Sequence, residues 1–278
     1  MHFGISTHLF HDQRLSREHL SQIAGYGFEA VELFLTRSHF DYGDASAIDT
    51  LGRWLKETGL VLHSVHAPIF QSYGPAGIGE SFTLAASETA RRQAAVREAE
   101  LALAVLKRIR AKYVVVHLGT PAKYAAASDN NRLAASRSVE EICKVVEPLG
   151  ARVAVEVIPN DLSTPSSLVA MIEREFDGTG VGICLDFGHA HLMGDVADAI
   201  ETVAEHLITT HVHDNRGRED DHLVPYQGSI EWASALVHMR KIGYDGTFLL
   251  ELANTGSTTA VLEEARRARQ RMERALAD

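Results

Sequence analysis

Short β-branched runs alternate with longer helix-period segments along the whole chain, and this alternation restricts the fold more than any other feature. The strand candidates are 3–7, 30–35, 60–65, 113–117, 152–157, 182–186, 208–213 and 247–251. Helical patterns lie between and after them, around 16–26, 45–58, 84–110, 131–149, 166–176, 196–206, 230–242 and 259–276. Alternation of this kind implies parallel strands joined by right-handed helical crossovers. Eight βα units point to an α/β fold of the (β/α)8 (TIM) barrel type, with a doubly wound open sheet as the other solution. Glycines such as Gly59 and Gly150 fall between a helical pattern and the next strand, where a left-handed cap ends a helix. No linker or composition shift interrupts the series, so residues 1–278 are expected to form one domain.

The longer irregular stretches, 67–81, 118–130, 159–165 and 214–229, all follow strands, whereas the turns before strands are short. Loops after strands gather on the C-terminal face of a barrel, which is where such folds place their chemistry. The segment 70–79, with Tyr73 and small residues, is placed to act as a lid over that face or to be an ordinary surface loop.

A chain of 278 residues suits one barrel, which typically takes about 250. With 27 basic and 37 acidic residues the net charge is −10, which disfavours a nucleic-acid partner, whose phosphates need Lys and Arg. The two cysteines, Cys143 and Cys184, show no CxxC spacing and read as reduced and buried. The opening MHFGISTHLF reads as a first strand instead of a signal peptide, and no apolar run approaches the ~18 residues of a membrane span. A soluble cytoplasmic protein is expected, with monomer and homo-oligomer both open.

The polar residues at strand ends carry the chemistry. His66 ends the third strand, His117 the fourth, Glu156 the fifth and Asp186 the sixth; His211 and His213 end the seventh and Glu251 the eighth. Side chains alternate along a strand, so Glu156 shares a face with Ala154, Asp186 with Cys184, His211 with Thr209 and Glu251 with Leu249. If that face is the barrel interior, several strands aim ligand-type groups at one mouth. A single buried glutamate is satisfied by a backbone cap or an arginine, but the recurrence on strand after strand points to a metal. His, Asp and Glu ligands without cysteine suit Mn, Mg, Co or Zn. The stretch HVHDNRGREDDHLVPYQG (211–228) adds Asp220 and His222 to the candidates. His8 and Glu32 end the first two strands and could line the pocket, with structural roles preferred for both, and the parity of His63 relative to His66 turns it toward the helices. His213 is expected beside the site without binding metal.

The segments HAPIF (66–70), VVVHLG (114–119), VAVEV (153–157), CLDFGHAH (184–191), HVHDNRG (211–217), DDHLVPYQGSIEW (220–232) and LLEL (249–252) resemble, in order and spacing, the xylose-isomerase-like barrel superfamily of sugar and sugar-phosphate isomerases and epimerases, which also includes endonuclease IV. That resemblance implies a small-molecule sugar substrate and one divalent ion held by Glu156, Asp186, His211 and Glu251. It further implies that Glu156 and Glu251 act as the acid/base pair, transferring a proton through a metal-stabilised enediolate. His189, His66, His222 and Arg216 would then contact substrate. The endonuclease IV pattern implies up to three ions, adding His66, His117, His189, Asp220 and His222 as ligands for a phosphodiesterase. Against it, strand five runs EVIPN and strand six CLDFGH where that family has Glu-Asn-Thr and a Thr-Cys pair. A lyase or dehydratase acting on a keto-sugar or polyol through the same enolate chemistry is the other alternative.

Overall fold

The computed structural model describes residues 2–74, 77–254 and 256–277. Its first three strands are β1 (His2–Ser6), β2 (Ala30–Phe34) and β3 (Val61–His66), and a small hairpin of β4 (Tyr73–Gly74) and β5 (Gly77–Ile78) follows. The remaining strands are β6 (Tyr113–Val116), β7 (Arg152–Glu156), β8 (Gly182–Asp186), β9 (Leu207–Val212) and β10 (Thr247–Leu250). All except the hairpin pair in parallel, in the circular order β1-β2-β3-β6-β7-β8-β9-β10. Pairing of β1 with β10, His2 opposite Thr247, closes the ring and rules out the open sheet.

The helices around it are α1 (Arg17–Gly25), α2 (Ala45–Thr58), α3 (Thr89–Ala102), α4 (Arg132–Val146), α5 (Pro165–Met171), α6 (Phe187–Met193), α7 (Val196–Val203), α8 (Trp232–Lys241) and α9 (Thr258–Ala277). Local chemistry sets their ends. Asp44 caps α2 through Ser46 N, and Gly59 closes it at φ 73°. The expected helix over 84–110 is regular only through α3, because Ala85 and Ser87 are already tied by backbone bonds to Asn131 and Ser128. No helix among the described residues is long and apolar enough to cross a membrane.

One apolar layer lies between strands and helices, with Ile5, Leu33, Val65, Val155 and Leu250 facing helix residues such as Leu20, Leu51, Ile142, Ile200 and Leu262, all buried. A smaller cluster, Val115, Ala154 and Cys184 with Tyr113 and Ile208 against it, fills the barrel interior. Two bulges shape that interior. Val31 and Glu32 of β2 are consecutive, yet they sit opposite Leu62 and Ser64, so β3 carries an extra residue at His63. A bulge turns neighbouring side chains to the same side. His63 therefore points into the barrel, contrary to its parity, and its Nε2 lies 3.0 Å from Thr209 Oγ1 across the interior. A matching shift between Ile183 and Cys184 makes Ile208 the extra residue of β9.

The added bulk is accommodated at Gly182, where a Cβ would stand 2.6 Å from Ile208 Cγ2 and 2.9 Å from His206 O. Gly182→Ala is expected to cost about 1–3 kcal/mol through overpacking against a backbone oxygen that cannot retreat. Urea unfolding checks this, and an unchanged midpoint would refute it.

Candidate active site

The ends of several strands deliver ligand-type side chains to the mouth. Glu156 of β7, Asp186 of β8, His211 of β9 and Glu251, just after β10, offer atoms all within 4.8 Å of one another. The fully buried His211 ring is the centre of this group. Its Nδ1 lies 3.2 Å from Glu156 Oε1, 3.5 Å from Glu251 Oε2 and 3.9 Å from Asp186 Oδ2. Glu156 Oε1 and His211 Nδ1 are both buried without a hydrogen-bond partner.

The other oxygen of Glu156 is approached by two imidazoles, His66 Nε2 at 3.2 Å and His117 Nε2 at 3.1 Å. His189 sits on α6, a short helix with no counterpart in the sequence expectation. Asp186 starts that helix, its Oδ1 accepting from His189 N at 2.6 Å, which leaves Oδ2 facing the mouth. His189 Nε2 then meets Asp220 Oδ2 at 3.0 Å, and His222 Nε2 meets the same oxygen at 3.2 Å. Thus His66, His117, Glu156, Asp186, His189, His211, Asp220, His222 and Glu251 are brought together. Arg216 is not drawn into the group; its side chain stands exposed, 3.9 Å from Asp221.

The loop that carries Asp220 and His222 is anchored at Asp214. The buried Asp214 carboxylate accepts from Asn215 N, Tyr226 N, Ile230 N and Trp232 Nε1, all at 2.8–3.1 Å. A Cβ on Gly228 would stand 2.2 Å from Asp214 Oδ1, so glycine lets the returning chain pass.

A family model described as xylose isomerase-like TIM barrel matches residues 20–275. The chain belongs to that family. An uncharacterised protein of Methanocaldococcus jannaschii is 29% identical over 265 residues, covering 91% of this chain and 84% of its own. D-psicose 3-epimerase of Enterocloster bolteae is 24% identical over 242 residues, covering 84% of this chain and 76% of its own. A solved D-tagatose 3-epimerase-like protein superposes with a TM-score of 0.79 at 24% identity, over 100% of this chain and 97% of that one.

Three further residues stand beside this family member's site. Glu32 lies fully buried beside His211, with its Oε2 3.1 Å from His211 Nε2. His213, expected only beside the site, rests its Nε2 3.1 Å from Asp186 Oδ2 and stacks on His222 at 4.0 Å. His8 packs against Phe34, His11 and His222 at the rim, and Tyr73 of the hairpin meets His11 edge-on at 4.2 Å. The parity of His213 with His211 was a usable signal. His8 and Glu32 were marked only by their places at the ends of the first two strands, since their contacts join elements distant in the chain. Tyr73 brings one strand of the 70–79 segment to the rim, while its Pro75 and Ala76 lie outside the described residues.

Opposite charges compensate each other across this largely buried mouth. Burial alone would raise the Glu156 carboxyl, but His211 and His117 outweigh it and hold Glu156 well below the usual carboxylate range. Asp186 is lowered in the same way by His189 and His213. Burial opposes charge on His222, yet Asp220 and Glu251 push it up to about 10, and Asp186 and Asp220 raise His189 well above the ordinary value.

The sign for stability follows from linkage. A raised histidine stabilises below its unfolded value of 6.5, and that contribution is lost as pH climbs toward about 10. The lowered carboxylates stabilise above their unfolded values and lose this as pH falls. Chelator-treated protein should therefore have its highest Tm in mildly acidic solution and lose Tm steadily between pH 6.5 and about 10. A Tm that stays level over this alkaline range would contradict the charge assignment.

Proposed function

We propose that the chain is a divalent-metal-dependent isomerase or epimerase of sugars or sugar phosphates. The observation that carries this reading is the pair of partnerless buried atoms, Glu156 Oε1 and His211 Nδ1, facing each other at 3.2 Å within a shell that Asp186 and Glu251 complete. Buried polar atoms seldom remain unsatisfied, and a cation among four such ligands satisfies all of them. Relatives named D-psicose 3-epimerase and D-tagatose 3-epimerase-like protein support the substrate class. The reduced, buried Cys184 fits a cytoplasmic setting.

In this reading Glu156 and Glu251 flank the reacting carbon, one removing a proton α to the carbonyl and the other returning it. The chemistry that bound Mn, Zn, Mg or Co supplies there is Lewis-acid stabilisation of the enediolate oxyanion. Glu156 holds two imidazoles on Oε2, whereas Glu251 Oε2 stands 3.5 Å from His211 Nδ1 and 3.8 Å from His222 Nδ1. Glu251 is therefore freer to accept the proton. His189 and His222, lining the same mouth, are positioned to hold substrate hydroxyls, and Arg216 lies on the adjoining loop for a more distant oxygen or phosphate.

A second reading is favoured by the tautomers of three histidines. His66, His189 and His222 each donate Nδ1–H to a backbone carbonyl, of Ala67, Val157 and Glu251 respectively. Their Nε2 atoms nonetheless point at carboxylate oxygens, which demands either a second proton or a cation between them. Occupation by cations would give up to three ions, the set that an endonuclease IV-like phosphodiesterase uses.

Glu251→Gln is expected to lower epimerisation about 10²–10⁴-fold while circular dichroism and Tm stay native. Proton exchange at the substrate α-carbon in heavy water, followed by NMR, should vanish in parallel, and unchanged epimerisation would overturn the assignment. Metal analysis separates the readings, since about one tightly held ion per chain supports the isomerase and about three, with cleavage of an abasic duplex, the nuclease. Loss of water from the product mass would instead identify a dehydratase.

A further inference from the structure

The interior holds a charged side chain that the proton-transfer scheme does not use. Glu32 is fully buried on β2, yet among the described residues no arginine or lysine accompanies it. Its Oε1 accepts from Ser6 Oγ at 3.0 Å, and its Oε2 accepts from Ser64 Oγ at 2.7 Å and His211 Nε2 at 3.1 Å. Ser6, Glu32 and Ser64 are consecutive partners across β1, β2 and β3, so the cradle is built into the strand register. The bulge at His63 is what brings Ser64 opposite Glu32.

We propose that Glu32 is the positioning residue of the metal site, acting through His211; this rests on the metal-dependent reading above. A carboxylate can only accept here, so His211 must carry its proton on Nε2. The Nδ1 lone pair is thereby directed to the point where Glu156 Oε1, Asp186 Oδ2 and Glu251 Oε2 converge. The negative charge also makes the imidazole a stronger electron donor to a cation, as partners of ligating histidines generally do. The two serine hydroxyls stop the carboxylate from rotating away and replace the water that burial removed. Without the cradle, His211 would be free to take the other tautomer and present N–H to three acids.

The test is titration calorimetry of Mn(II) or Co(II) into chelator-stripped protein, wild type against Glu32→Gln. Glutamine keeps the size and can still accept one hydrogen bond, so a merely space-filling role predicts equal affinity. The inference predicts affinity weaker by about ten- to a hundredfold, with a shifted visible absorption of the Co(II) form and a native Tm for the stripped protein. If Glu32→Gln does not fold, the double variant Ser6→Ala/Ser64→Ala takes its place and should also bind more weakly. A folded variant that binds within twofold of wild type overturns the inference and leaves the metal reading standing. A wild-type chain that takes up no divalent ion overturns both.

Discussion

Negative charge out of reach of water is the constraint on which the rest of this structure depends. Glu32, Glu156 and Asp186 are fully buried and Glu251 nearly so, within one barrel mouth. Isolated carboxylates in such a place would be too costly to keep ionised. The barrel answers by surrounding them with imidazoles from β3, β9, α6 and the loops after β6 and β9. Histidine suits this task because it can give a proton, a lone pair or both to its neighbours as conditions change. The same arrangement that keeps the fold tolerable therefore groups side chains that could hold a metal ion.

Much of this was legible beforehand because a barrel repeats a simple period. Apolar runs ending in His, Asp or Glu revealed both the strands and their working end, and residue spacing put Glu156, Asp186, His211 and Glu251 on one side. What escaped notice depends on relations between strands. The extra residue at His63 is visible only once β2 and β3 are aligned, and period-two reasoning fails at that step. Helix α6 was hidden because Asp186 both ends a strand and caps the helix that follows it. For Glu32 the sequence offers its place at a strand end and no more, since its chief partner is 179 residues away.

The bulges in β3 and β9 do more than break a pattern. By turning His63 and Ile208 inward they fill the floor of the barrel, where Thr209 and Tyr113 meet them. The floor is thus a mixed polar and apolar plug directly beneath His211. Ser64 and Thr209 lie one step past those bulges, so the register that fills the floor is also the register that supports the buried carboxylates and imidazoles above it.

The segment fastened by Asp214 divides the mouth into parts that are not equally free to vary. Both its ends and its return through Tyr226 and Ile230 are gripped by one carboxylate, while 216–219 stands in solvent. A substitution at Trp232, on an outer helix, would loosen the grip and be felt at His222, whereas a substitution at Arg218 would alter little beyond the rim. Divergence among such barrels can therefore explore what the rim displays while the buried acids and imidazoles beneath keep their places.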